Sequence, residues 1–238
     1  MSNRSIHTLL KNWDEECPLT REEAVEVLNL PEEEMDSLME CAYALRTKYK
    51  GKKVSVQLLT NVRSGNCTQN CAYCAQSKDS QAEIEKYKRV SDEKLYGDND
   101  LVDEKHLARH CIGLSGIGFS DEEIEDLADR IREMKKKDTQ ICCSIGFLTE
   151  KQARILKDAG LDRINHNLNS SRSFYPEICT THTYDQRVNN IKMLQSLGFE
   201  ICSGGIVGMG ESKEDIVDML MDLREINPES VPINFLLP

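Results

Sequence analysis

The chain of 238 residues reads as an α/β protein, a TIM-type (β/α) barrel with an N-terminal helical segment. Three observations carry that reading. Short β-rich runs alternate with capped amphipathic helices from residue 51 onward, the pattern of a parallel sheet covered by helices. Polar and thiol side chains recur at or just after many of those runs, where a barrel gathers its catalytic groups; a doubly wound sheet shares the alternation but fits this recurrence less well. Only six such runs are visible, against the eight of a closed barrel of about 250 residues, so the expected barrel is incomplete.

Residues 1–50 form the helical segment and 51–238 the barrel domain. In the first, Thr20 with Glu23 makes a capping box, and Pro31 suits the first turn of a second helix. That helix places Met35, Leu38, Met39, Ala42 and Leu45 on one apolar stripe and stops at Gly51. Strands are expected over 54–60, 110–114, 140–145, 163–167, 200–207 and 230–235. Ser120 opens a helix that turns Ile124, Leu127 and Ile131 inward. Thr149, Thr183 and Ser212 open others, and Gly160 and Gly198 close two. The run Tyr96-Gly97-Asp98-Asn99-Asp100 interrupts the first barrel helix, and its Gly and Asn predict a turn that splits it.

A net charge of −11 argues against nucleic acid or an anionic membrane surface as partner. The ten cysteines, with no apolar stretch at the start and no segment long enough to span a bilayer, predict a reducing cytoplasmic setting and metal rather than disulfides.

Chemistry concentrates in Cys67, Cys71 and Cys74, a C-x3-C-x2-C cluster within a polar run. Three close thiolates are the soft ligands of an iron–sulfur cubane, and three ligands for four irons leave one position open for catalysis. Zinc would want a fourth Cys or His nearby, and His106 is the nearest His. Inert core thiols are the remaining alternative, in a run of Asn, Thr and Gln poorly suited to a core. Cys111, Cys142 and Cys202 fall in three different expected strands, so either a second cluster or three small core residues would account for them. Parity puts Cys142 and Ser144 on one face and Cys143 on the other, against a helix. Cys17, Cys41 and Cys179 carry no expected role.

Asn165, Asn167 and Asn169 alternate along one strand and its exit and share a face, while His166 points away and reads as structural. Asn is a poor strand former and costly to bury unpaired, so the row should bind something polar; a loop whose amides cap backbone groups is the alternative. The glycine-rich run 204–210, with Glu211 behind it, precedes a capped helix and lets a nucleotide approach the backbone. A dinucleotide fingerprint or a plain turn would share those glycines, though the G-x-G-x-x-G spacing is absent.

These motifs together resemble the radical S-adenosylmethionine enzymes. The C-x3-C-x2-C triplet with Tyr73 before its last Cys marks that superfamily. The Asn165-His-Asn-Leu-Asn169, Thr180-Thr-His-Thr-Tyr184, Cys202-Ser-Gly-Gly-Ile206 and Ser230-Val-Pro-Ile-Asn234 runs narrow the resemblance to the biotin synthase family. It implies a [4Fe–4S] cluster on Cys67, Cys71 and Cys74, whose open iron takes S-adenosyl-L-methionine. It implies Tyr73 by the adenine, and Gly204, Ile206, Gly208 and Glu211 as the adenosine-binding turn. Asn169 stands where the family usually has an Asp facing the ribose, so it brings one acceptor and no charge.

The same resemblance implies Asn165, Asn167 and Asn234 around the ureido ring of dethiobiotin. Cys111, Cys142 and Cys202 would be three ligands of a sulfur-donating [2Fe–2S] cluster, with Arg109 beside it. The fourth ligand of that cluster is an Arg in a stretch beyond residue 238. The implied reaction inserts sulfur into dethiobiotin to form biotin, with a flavodoxin-like or ferredoxin-like reductant and a homodimer for the complete protein. A relative without sulfur insertion and a non-catalytic iron–sulfur fragment are the competing readings. The expected edge strand, 230–235, would face water and favour self-association.

Overall fold

The computed structural model describes residues 18–237. The N-terminal part holds α1 (Arg21–Leu28), a 3-10 turn (Glu32–Glu34) and α2 (Met35–Lys50). The capping box of Thr20 and Glu23 forms as expected. Helix α1 docks on the last described helix through Arg21 and Asp218, and Arg224 Nη1 donates to the Leu19 carbonyl at 2.7 Å. The stripe on α2 forms but buries little: no residue of that helix is buried, and Met39 stays 66% exposed.

The barrel portion runs β1 (Gln57–Arg63), α3 (Asp92–Glu104), β2 (Arg109–Leu114), α4 (Asp121–Met134), β3 (Ile141–Ser144), α5 (Glu150–Asp158) and β4 (Arg163–Asn165). It continues through α6 (Tyr175–Ile178), α7 (Tyr184–Ser196), β5 (Glu200–Cys202), β6 (Gly205–Val207), α8 (Lys213–Ile226) and β7 (Ile233–Phe235). Strands β1 to β5 lie in sequence order in one parallel sheet, and β6 pairs in parallel with β7. The expected single strand over 200–207 is therefore interrupted at Ser203-Gly204. It remains one path, because a bridge from Cys202 to Ser230 keeps the register that β6 and β7 continue. Among the described residues this makes six strand positions of an open parallel sheet, the architecture the alternation predicts. The first strand starts three residues later than expected, leaving Val54 and Val56 exposed.

Capping boxes open α4 at Ser120, α5 at Thr149, α7 at Thr183 and α8 at Ser212. The predicted split of α3 does not occur. Gly97 and Asn99 are weak helix formers, but tertiary partners outweigh the propensity. Asn99 Nδ2 donates to the Met134 carbonyl at 3.2 Å, and its Oδ1 lies 3.2 Å from His110 Nδ1. Asp98 accepts from Lys94 and from the Thr60 hydroxyl.

Period-two alternation sorts the sheet into two faces. Ile112, Ile141, Cys143, Ile164 and Ile201 point outward and are buried beneath α4, α5 and α7, packed with Ile124, Ile131, Leu156 and Ile191. The inner face carries Cys111, Cys142 and Arg163 in one register layer, and Gly113, Ser144, Asn165 and Cys202 in the next. At the end of β7 and just after it, apolar groups stay in water, with Phe235 73% and Leu237 86% exposed. Across the described residues no helix is long and apolar enough to cross a membrane.

Candidate active site

A cavity of about 310 Å³ opens at the C-terminal ends of the strands. Cys67, Cys71, Tyr73 and Cys74 line it from the loop after β1, Asn165, Asn167 and Asn169 from the end of β4, and Arg187 from α7. The cysteine loop is built by backbone hydrogen bonds, Cys74 N to the Cys71 carbonyl at 3.1 Å and Ser77 N to the Cys74 carbonyl at 3.0 Å. It is clamped from outside by the Thr180-Thr181 pair. Asn70 Oδ1 accepts from both threonine amides, its Nδ2 donates to Thr180 Oγ1 at 2.7 Å, and Ala72 N donates to the Ile178 carbonyl at 2.9 Å.

Burial pushes the Cys71 thiol up to about 12, with Cys179 as the next cause, and burial likewise raises Cys74. These thiols are therefore protonated until a cation compensates them. A soft metal in a dry pocket is such a cation, and the donor set of three sulfurs fits an iron–sulfur cluster. Tyr73 is raised by burial and hydrogen-bonds to Cys71.

Strand β4 stops at Asn165, so parity fails beyond it. His166, expected to face away, instead lines the same cavity and lies edge-on to Phe147 with ring centroids 5.1 Å apart. Burial lowers its pKa to about 3, and its Nε2 has no partner among the described residues. Asn169 sits in the left-handed region at φ 73°. Its backbone meets the glycine-rich turn, receiving at its carbonyl from Ile206 N at 2.9 Å and donating to the Gly204 carbonyl at 3.0 Å. Asn167 Oδ1 accepts from Gly204 N at 3.1 Å. A Cβ on Gly204 would collide with the Pro232 carbonyl, so the close approach of the two strands requires glycine. Glu211 accepts from the amides of Gly208 and Met209, both at 2.7 Å, and thereby shapes the turn rather than pointing free into it. Gly208 holds φ 100°, a conformation that favours glycine. Ile206 pairs with Asn234 in register. Asn234 is exposed on β7 and does not line the cavity.

Cys111, Cys142 and Cys202 share the inner face below that cavity without lining it. The hydrogen bond from Cys142 lowers Cys111, helped by the Arg109 and Arg163 guanidiniums, while that bond and burial raise Cys142. Cys111 Sγ also donates to Gln57 Oε1 at 2.9 Å. Asn165 Nδ2 lies 3.3 Å from Cys202 Sγ. Arg109 Nη2 reaches Glu200 at 3.4 Å, and its buried Nη1 has no partner among the described residues. Three thiols on one face beside an unsatisfied guanidinium nitrogen fit a second soft-metal group there.

Arg187 is a functional candidate that motif reading missed. Its guanidinium donates to the Tyr175 hydroxyl, to the Asn167 carbonyl at 3.1 Å and to His182 Nε2 at 2.8 Å, and makes no ion pair among the described residues. An arginine on an amphipathic helix gives no local signal; only the fold turns it into the cavity. Cys179 was also passed over, and its sulfur lies 3.8 Å from Cys71 Sγ.

The Radical SAM superfamily model matches residues 61–223. The chain is 41% identical over 219 residues to a biotin synthase of Geobacillus kaustophilus, and 40% identical over 219 residues to one of Bacillus subtilis. Each alignment covers 92% of this chain and 66% or 65% of the relative, so the chain spans just under two thirds of their length. The solved structure of a methylornithine synthase (PylB) superposes with a TM-score of 0.85 at 17% identity, covering 98% of this chain and 68% of that one. A structure of anSMEcpe with bound AdoMet shares the fold at a TM-score of 0.55 and 14% identity, covering 76% of this chain and 51% of that one. The chain belongs to the Radical SAM superfamily, whose cofactors are a [4Fe–4S] cluster and S-adenosyl-L-methionine.

Proposed function

We propose that this chain is a radical S-adenosylmethionine enzyme of the biotin synthase type, acting on dethiobiotin to insert sulfur. The carrying observation is the meeting of the three-cysteine loop, the asparagine row and an arginine with no ion pair among the described residues in one cavity, supported by about 40% identity to biotin synthases. When bound, the cluster and S-adenosyl-L-methionine supply reductive cleavage and hydrogen abstraction from unactivated carbon.

The chain's own residues bind and orient. Cys67, Cys71 and Cys74 hold the [4Fe–4S] cluster. Arg187, a cation lacking a carboxylate, receives the carboxylate of S-adenosyl-L-methionine. Tyr73, Asn169 and the turn of Gly204, Ile206, Gly208 and Glu211 seat the adenosine. Asn165 and Asn167 offer amides to the cyclic urea. Cys111, Cys142 and Cys202, beside Arg109, hold a [2Fe–2S] cluster as sulfur donor. A flavodoxin- or ferredoxin-type reductant in the cytoplasm supplies electrons, and the enzyme works as a homodimer.

One observation favours a second reading, cofactor cleavage without sulfur insertion. The Cys111 group lies below the cavity and reaches the asparagine row through Asn165 Nδ2, 3.3 Å from Cys202 Sγ, without lining the cavity itself. Anaerobic reconstitution with iron and sulfide, followed by product analysis with dethiobiotin and S-adenosyl-L-methionine, decides between them. Biotin formation supports the first reading, deoxyadenosine alone the second, and neither product overturns both.

A further inference from the structure

Cys71 lies against a buried group that cluster binding does not use. Cys179 Sγ is 3.8 Å from Cys71 Sγ and 3.2 Å from His182 Nδ1, and all three residues are buried. Two sulfurs and an imidazole suggest a metal site, but hydrogen bonding argues otherwise. Arg187 can only donate, so His182 Nε2 accepts from it and the ring proton sits on Nδ1. That nitrogen then has no lone pair for a metal. Its proton is aimed instead at the Cys179 sulfur and at Gln69 Oε1, 3.1 Å away.

We infer that Cys71 and Cys179 form a reversible disulfide when the protein is free of its cluster, with Cys179 as the resolving thiol. The two chain segments are already tied together by the Ala72–Ile178 hydrogen bond and the Asn70 clamp. The sulfurs need close by only about 1.8 Å to reach a disulfide bond length. Cys71 lines the cavity and Cys179 does not, so a small oxidant such as hydrogen peroxide reaches Cys71 first.

In the first step the buried Cys71 thiol gives up its proton to solvent, the thiolate attacks a peroxide oxygen, the O–O bond breaks, and Cys71 sulfenic acid and one water result once the proton is returned. In the second, the Cys179 sulfur attacks the sulfenyl sulfur, the S–O bond breaks, and a second water leaves as the S–S bond forms. Two thiols lose two electrons and two protons, and peroxide is reduced to two waters. A dithiol reverses the bond by exchange. The disulfide stops Cys71 at a recoverable oxidation state and withholds it from iron. That last consequence rests on the cluster reading above, whereas the bond itself does not.

The test uses reduced, cluster-free protein treated with hydrogen peroxide at one equivalent. Free thiols are then alkylated and linked peptides mapped by mass spectrometry. The Cys71–Cys179 peptide should outweigh every other pair, with two of the ten thiols lost and recovered by dithiothreitol. Cys179→Ala should show no linkage at Cys71 and should instead accumulate a sulfenic acid there, trapped by dimedone; Cys179→Ser provides the same readout should the alanine variant fold poorly. Pairs among Cys67, Cys71 and Cys74 dominating the wild type, or Cys179 remaining fully alkylated, would overturn the proposal. Iron uptake after oxidation should fall and return with dithiothreitol. Protein that maps the disulfide after oxidation yet takes up no iron when reduced would sink the cluster reading and leave the disulfide standing.

Discussion

Replacing Arg187 with Met removes a buried cation while roughly keeping side-chain length. The guanidinium has five N–H donors, and the Tyr175 hydroxyl, the Asn167 carbonyl and His182 Nε2 engage three directions. Donors remain for a carboxylate from the cavity side. A hydrogen bond to a charged group contributes about 1.5–3 kcal/mol, so the variant should bind S-adenosyl-L-methionine about 10- to 150-fold more weakly. Stability should fall as well, because the Asn167 carbonyl loses its donor, at a cost of about 1–3 kcal/mol. Equilibrium dialysis with reconstituted, folded protein measures the first effect and urea unfolding the second. Iron content should not change, since Arg187 is not a proposed ligand. A dissociation constant within twofold of wild type, in a variant that loads iron normally, would refute the carboxylate assignment.

Three other outcomes are expected. Alanine at Cys67, Cys71 or Cys74 should each abolish deoxyadenosine formation, measured by chromatography, whereas Cys41→Ala should leave iron content unchanged. Stability in urea should fall as pH drops from about 6.5 toward 4, because burial holds His166 near 3 and His110 near 4 while the unfolded chain takes up protons at the ordinary value. By pH 5 each histidine should cost up to about 2 kcal/mol, and a midpoint flat between pH 7 and 5 would contradict their burial. Gly204→Ala should lower the thermal midpoint, because its Cβ meets the Pro232 carbonyl and overpacking of that kind costs about 1–3 kcal/mol.

Much of this protein is written in local signals. The capping boxes at Thr20, Ser120, Thr149, Thr183 and Ser212 stand where the residue pattern puts them, since each needs only four consecutive residues. Period two likewise separates Cys142 from Cys143, because alternation is a property of the strand itself. The C-x3-C-x2-C loop needs no tertiary information, and neither do the Asn165–Asn169 and Gly204–Glu211 runs that carried the family resemblance.

Tertiary structure decided the rest. Helix α3 runs unbroken through Gly97 and Asn99 because Met134 and His110 lie across from it. His166 lines the cavity because strand β4 ends at Asn165 and its alternation does not carry on. Arg187 and Cys179 acquire meaning only when α7 and the segment after α6 fold against the cysteine loop, more than a hundred residues earlier in the chain. Hydrogen-bond and sulfur contacts of that range leave no period or spacing in the sequence, so the cavity's buried cation and the Cys71–Cys179 contact exist only in three dimensions.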